Sequence, residues 1–328
     1  MNLEEFKLQF ISSSEKFRRL LNYTNMEKAI KSFAELTAHL QQLPQRVRLA
    51  VVCGSDDSTR EAVTKAVQHG FAEATFVGHC SQIASSTKFA IESTGHVCFV
   101  EAADDTQAAQ KAVQMVREGE ADVLVKGLLH TETLLHAVLN KEWGLLPNGN
   151  VLTHIAVAEM PRYDKLFFFS DAAVIPYPTH EQRLSQVAYM ARLLHAFGIE
   201  EPRIALTHCA ETVNPKFPHT LGYAEICQRA AEGEWGALRV DGPLDLRTAC
   251  DPVALHVKGI NSCLEGQADA IIVPDIEAGN LLYKALPLFA QAKVAGSLQG
   301  TLRPVVLPSR GDDAEAKFNS IALAAINI

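Results

Sequence analysis

The sequence predicts an α/β protein in which mainly parallel strands alternate with helices. Short apolar runs rich in β-branched residues, of which Ala270-Ile271-Ile272-Val273 is the clearest, show no polar alternation. Strands buried on both faces of a parallel sheet read this way. Amphipathic helical patterns separate the runs, as parallel βαβ units require. Polar groups then gather just past the strand ends, where open α/β sheets bind ligands.

A chain of 328 residues suits two domains, at about 100–200 residues each. With 48% hydrophobic residues a sizeable core is available. The net charge of −8 and the lack of a basic stripe exclude a nucleic-acid binder. Small anionic substrates need only a few local cations. The seven cysteines form no CxxC pair and read as reduced, mostly buried thiols of a cytoplasmic protein. Cys53, at a strand end, carries a second reading as a nucleophile. MNLEEFKLQF lacks the cationic and apolar regions of a signal peptide, and no stretch is long enough to span a bilayer. The expectation is a soluble cytoplasmic protein with no membrane partner.

In chain order, residues 1–43 carry a helical pattern (Ile30, Phe33, Leu36, Leu40) that Pro44 punctuates. Strands are predicted at Arg48–Cys53, Ala74–Val77, Val97–Val100 and Ala121–Val125, with helices at about Ser58–His69 and Asp105–Arg117. KEWGLLPNGN, near 150, marks a domain crossing. Strands follow at Val151–Ala158 and Leu166–Phe169. Thr179 and Gln182 then make a capping box before an apolar face of Leu184, Val187, Ala188, Ala191 and Leu194, stopped by Gly198. Further strands fall at Ile204–Leu206 and Ala237–Val240, separated by a loop at Glu211–His219 and a helix ending near Glu232. After Val273 a helix enters at Leu281, and Pro287 should end or kink it near Leu286. Strands at Lys293–Ala295 and Pro304–Leu307 lead to a last helix with Phe318, Ile321 and Leu323 buried. There is no GxGxxG after the first strand and no Walker A sequence, which disfavours nicotinamide and P-loop readings.

Three strands of the second half end in an acid: Asp171, Asp241 and Asp275. In one parallel sheet these acids could share a rim; the loop of Asp275 and Glu277 is equally readable as an ordinary βα loop whose acids cap a helix. Lys126-Gly127, followed by a helix near Thr131, reads as an anion cradle or as a surface lysine. At Ser309-Arg310-Gly311, a guanidinium and a helix start can meet one anion, or Arg310 can pair with a neighbouring acid. His130 and His136 lack partners at ligand spacing, so no metal is expected. From spacing alone the chain is an α/β enzyme with an anion-binding crevice.

Several motifs in order resemble the phosphate acetyltransferase/phosphate butyryltransferase family, closest to its butyryltransferase branch. They are KSFAEL (31–36), ADVLVKGLLHT (121–131), FFSDAAVIPYP (168–178), ETVNPKFP (211–218), VDGPLDL (240–246), PDIEAGNLLYKAL (274–286) and LPSRGDDAEAKFNSIALA (307–324). The resemblance implies reversible acyl transfer between coenzyme A and inorganic phosphate, with CoA as substrate and no permanently bound cofactor. It implies two three-layer α/β domains with mainly parallel sheets around a cleft, of isocitrate/isopropylmalate dehydrogenase-like architecture, and a homodimer. The expected division is 1–150 plus 301–328 (with 1–30 an N-terminal extension) and 151–300. Ser309 and Arg310 match the family's catalytic pair. The substrate-binding candidates are Lys126, Gly127, Thr131, Asp275, Glu277, Gly279, Asn280 and Lys284, with Lys258 a weaker one. One departure stands out: the Asp that the acetyltransferase branch places six residues after the Arg, as thiol-activating base, is Ala316 here. A phosphate acetyltransferase proper and a non-catalytic acyl-CoA or acyl-phosphate binder remain alternatives. A decarboxylating dehydrogenase would need the nicotinamide site that the sequence lacks.

Overall fold

The computed structural model describes residues 28–80, 95–309 and 311–328. Most of the N-terminal helical pattern, and Arg310, lie outside them. The first half runs α1 (Phe33–Leu40), β1 (Val47–Val52), α2 (Asp57–Gln68), β2 (Ala72–Gly78), β3 (Val97–Glu101), α3 (Asp105–Glu118), β4 (Val123–Lys126) and α4 (Thr131–Val138). Next come β5 (Thr153–Glu159), β6 (Phe167–Ser170), α5 (His180–Ala196), β7 (Arg203–Thr207), α6 (Tyr223–Ala231) and β8 (Arg239–Leu244). The chain finishes with α7 (Leu246–Cys250), α8 (Pro252–Val257), β9 (Ala270–Ile272), α9 (Ile276–Ala290), β10 (Lys293–Gln299), β11 (Val305–Val306) and α10 (Ala314–Ala325).

Side-chain caps start most of these helices. Ser32, Asp56, Asp104, Thr179, Asp275 and Asp313 each accept a backbone N–H of the first turn, typically stabilising by about 1 kcal/mol. The predicted capping box of Thr179 and Gln182 is complete in both directions.

Among the described residues the strands join in one order, β3-β2-β1-β4-β11-β10-β5-β6-β9-β7-β8. Neighbours are parallel except β11–β10, β10–β5 and β5–β6. Helices cover both faces. In β1 the alternation of a pleated strand sends Leu49 and Val51 to one apolar cluster, shared with α1, α2, α5 and α10. Ala50 and Val52 face another, shared with α3 and α4. Ile271 and Ile272 of β9 likewise face opposite clusters, which is the two-sided burial their unbroken apolar run predicts.

Three expectations need correction. β8 does not end at Asp241; it continues through Gly242-Pro243 to Leu244. It is the last strand of the order, and an edge strand tolerates a proline that cannot donate to the ladder. α9 starts at Ile276, not Leu281, because Asp275 caps it through the Ala278 N–H. Of the two outcomes expected at Pro287, an end or a kink, the end does not occur, since the helix reaches Ala290. The missing N–H falls in the last turn, and the Leu286 carbonyl just beyond the gap accepts from Gln291 and Ala292. The cysteines also differ from expectation: all are unpaired as read, but Cys98, Cys209 and Cys263 are exposed and the others half-buried.

The C-terminal segment is fastened to the first half through a charge. Lys317 of α10 is buried and donates to Asp56 Oδ1 at 2.7 Å, Ser58 Oγ at 2.8 Å and Thr59 Oγ1 at 2.9 Å, all at the start of α2. Burial alone would raise the Asp56 pKa, but Lys317, Thr59 and Ser58 outweigh it and hold the carboxyl down at about 2. Because the folded value is depressed, the stabilisation is complete above the unfolded value of about 4. It is lost as pH falls toward 2. Lys317→Met strands a largely buried carboxylate and is expected to cost on the order of 3 kcal/mol in urea unfolding at pH 7. The variant should also lack the wild-type loss of this contribution below about pH 4.

Candidate active site

β1, β4 and β11 are parallel and adjacent in the order, so the residues after them leave the sheet at one edge. Val306 pairs with Val125, which sets the Leu307-Pro308-Ser309 exit beside Lys126-Gly127. Lys126 is buried, and its Nζ donates to the Gly127 carbonyl at 3.2 Å. Gly127 is a glycine because a Cβ would run into the Val52 and Cys53 carbonyls. Its N–H already goes to the Val52 carbonyl at 2.8 Å, so its contribution is close backbone approach, not an amide for an anion. Thr131 is exposed at the first turn of α4, whose preceding residue, His130, makes no side-chain cap.

The Ser309 segment folds back on itself. Ser309 N–H donates to Asp312 Oδ2 at 2.8 Å, Asp312 N–H to the Ser309 carbonyl at 3.1 Å, and Gly311 N–H to Ser309 Oγ at 3.4 Å. Arg310, inside this turn, lies outside the described residues. The Tyr283 hydroxyl of α9 also donates to Asp312 Oδ2, at 3.4 Å. Burial, then Asp312, pushes the Tyr283 pKa well up, so the hydroxyl stays a donor at neutral pH. His154 of β5 meets the Tyr283 ring edge-on at 6.3 Å. It is buried over Gly296, where a Cβ would strike its ring. Burial lowers its pKa against the opposing pull of Asp171 and Asp312. Tyr283, His154 and Asp312 were not among the sequence-predicted site residues. The signal for Tyr283 and Asp312 was their place inside PDIEAGNLLYKAL and SRGDD; His154 gave none.

The second-half candidates sit elsewhere. Since β5 and β6 are antiparallel, β6, β9, β7 and β8 run against β1, β4 and β11, and their carboxyl ends leave the sheet in the opposite sense. Asp171 is buried and fully engaged, accepting from Thr153 Oγ1 at 2.7 Å, His154 N at 3.1 Å and the amides of Ala173, Val174 and Ile175 at 2.7–3.3 Å. Asp241 lies inside β8 and accepts from Gly242 N at 2.8 Å, while Asp275 is the α9 cap. The three acids therefore serve the backbone rather than a common ligand rim. Gly279 lets α9 press on β6, as a Cβ there would collide with the Asp171 carbonyl. Asn280 Nδ2 donates to the Ala172 carbonyl at 3.1 Å. Glu277 and Lys284 are exposed, with Lys284 Nζ 5.2 Å from the Tyr283 ring centre. Lys258 is engaged by Glu211 at 2.7 Å and Asp245 at 2.6 Å.

A sequence profile described as "Phosphate acetyl/butaryl transferase" matches residues 100–325, a span that holds both Lys126 and Ser309. The chain belongs to the phosphate acetyl/butyryl transferase family. A relative in this family, the phosphate butyryltransferase of Clostridium acetobutylicum, is 38% identical over 297 residues, covering 90% of this chain and 98% of its own. Among solved structures, a branched-chain phosphotransacylase from Enterococcus faecalis V583 is 32% identical with a TM-score of 0.75, over 86% of this chain and 98% of its own. A 4-hydroxythreonine-4-phosphate dehydrogenase from Klebsiella pneumoniae, 12% identical, covers 87% of this chain and 100% of its own with a TM-score of 0.51. That likeness concerns the fold alone, and bears out the dehydrogenase-like architecture.

Cys53, beside this site, is not poised as a nucleophile. Burial, and then Asp105 at 3.4 Å from its Sγ, push the thiol up to about 12, so almost no thiolate exists at neutral pH. Alkylation with iodoacetamide at pH 8, followed by peptide mass spectrometry, should label the exposed Cys98 and Cys209 well before Cys53.

Proposed function

We propose that this phosphate acyltransferase catalyses acyl-CoA + phosphate = acyl phosphate + CoA, reversibly, with a butyryl-type preference. The observation that carries the reading is the near full-length similarity to a phosphate butyryltransferase. Transfer requires a CoA thiolate to attack an acyl carbonyl, stabilisation of the resulting oxyanion, and cationic help for departing phosphate. Ser309 and Arg310 take the catalytic roles, with the Arg310 guanidinium suited to hold phosphate or oxyanion through paired N–H groups. Lys126 and the open first turn of α4 at Thr131 supply further positive potential for phosphate. α9, which starts after Asp275 and carries Glu277, Gly279, Asn280 and Lys284, reaches the Ser309 turn through Tyr283, whose hydroxyl donates to Asp312.

CoA serves as substrate, and no permanently bound cofactor is assigned. Residues 1–150 with 301–328, and 151–300, act as two domains around the site, a division supported by the pairing of β11 with β4 of the first half. A homodimer is supported by α9, whose Leu281, Leu288 and Phe289 are 72%, 73% and 81% exposed, at spacings that share a helix face. No helix among the described residues is long and apolar enough to cross a membrane, and a cytoplasmic location goes with CoA as substrate.

Two expected outcomes test the reading. Butyryl-CoA has two more methylenes than acetyl-CoA, each worth about 0.8 kcal/mol when buried, so its kcat/KM in a phosphate-dependent thiol-release assay should be about tenfold higher. Equal values would favour a phosphate acetyltransferase proper, and CoA binding without turnover on any acyl-CoA would favour a non-catalytic binder. Arg310→Ala should lower kcat roughly a hundredfold, as removal of an oxyanion donor does; activity within about threefold of wild type would remove its role.

A further inference from the structure

The CoA sulfur must lose its proton before it attacks, and a thiol with a pKa of about 8.5 is mostly protonated at neutral pH. Three carboxylates follow Ser309 closely: Asp312, Asp313 and Glu315. Asp313 is spent on the backbone, its Oδ1 accepting from Ala316 N at 2.8 Å as the α10 cap. Glu315 points away to an ion pair with Lys293 at 2.9 Å. Ala316 itself packs against the apolar cluster under α9.

Asp312 is different. It is half-buried in the turn that carries Ser309 and Arg310, and its Oδ2 is held by the Ser309 N–H at 2.8 Å and the Tyr283 hydroxyl at 3.4 Å. Its Oδ1 accepts no hydrogen bond among the described residues. One oxygen is thus clamped by two elements of the chain, while the other takes no donor from the described residues. Clamping from α9 and from the loop also fixes the carboxylate's rotamer, which a proton-transfer group needs.

We propose that Asp312 accepts the proton of the CoA thiol, taking the place of the base that Ala316 cannot supply. The inference rests on the acyl-transfer reading above. In the direction from acyl phosphate, the S–H proton passes to Asp312 Oδ1 and the sulfur lone pair forms the C–S bond at the acyl carbon. The tetrahedral adduct then collapses, breaking the C–O bond so that phosphate departs with the electron pair. Asp312 releases its proton to solvent. In the reverse direction the protonated Asp312 returns it to the departing thiolate. Among the described residues, the titratable groups around it are Tyr283 from α9, His154 from β5 and Asp313 on its own loop.

The test follows CoA consumption with butyryl phosphate from pH 6 to 9 for wild type, Asp312→Asn and Asp313→Asn, with CoA affinity measured by calorimetry. Asp312→Asn should lower kcat at pH 7 about a hundredfold while binding CoA within about threefold of wild type. Its residual rate should climb about tenfold per pH unit toward about pH 8.5, tracking the free thiolate. Asp313→Asn should keep the wild-type rate and profile. Three results would overturn the assignment: Asp312→Asn within about threefold of wild type, a loss with an unchanged pH profile, or a loss explained by weaker CoA binding. Wild-type protein inert on every acyl phosphate and acyl-CoA would overturn the transferase reading, and this assignment with it.

Discussion

Val305 and Val306 pair with Leu124 and Val125 on one side, and Val305 pairs with Leu298 on the other. This two-residue strand is where the C-terminal segment enters the sheet, and the site depends on its brevity. A longer β11 would carry the ladder past Lys126 and leave no room for Ser309 to turn away. Where β11 stops, the Gly296 N–H of β10 turns to Ser320 Oγ at 3.0 Å, so α10 satisfies the donor that the missing strand residues would have taken. The Lys317 contacts to the start of α2 then set the position of α10. Ser309 is placed by interactions that lie on both sides of it in sequence.

α9 is the second constraint. Its capped end belongs to the carboxyl end of β9, whereas Tyr283 reaches Asp312 on the loop after β11. Seven residues at about 1.5 Å rise span about 10 Å, the separation the helix must bridge. Gly279 allows it to do so by seating the helix against the Asp171 backbone. Asp171, with its side chain saturated by five donors, makes that backbone rigid. A motif with an acid, a glycine and a tyrosine at these spacings therefore joins two sets of oppositely running strands.

Much of the fold was legible because local chemistry and burial agreed. The apolar run at 270–273, the capping box at Thr179 and Gln182, and Gly198 in the left-handed region after α5 each specify one local state. The misreadings arose where tertiary context overrides a local rule. Pro287 and Pro243 are breakers by propensity, yet one falls in a helix's last turn and the other on an edge strand. The acids stayed open to a rim or a capping reading because a carboxylate at a strand end has the same sequence signature whether it caps a helix or meets a ligand. Only the donors around it tell the two apart: Asp275 and Asp313 point along their helices, while Asp312 points back over Ser309. His154 left no trace in the sequence, since its role comes from a gap over Gly296 on a neighbouring strand.

The charge distribution resolves an apparent conflict between a net charge of −8 and an anionic substrate. Asp275, Asp313 and Asp171 are turned onto backbone amides, and Glu277 is exposed to water, where its field is screened within about 8 Å at physiological salt. The buried Lys126 stands at a strand end, and Arg310 follows directly after Ser309. In a medium of low effective dielectric the buried Lys126 outweighs several solvated acids. Phosphate and the CoA pyrophosphate respond to that local potential, not to the sum over the chain. An acidic composition therefore excludes long polyanions, which must neutralise many charges at once, without excluding a small anion that needs only a few local cations.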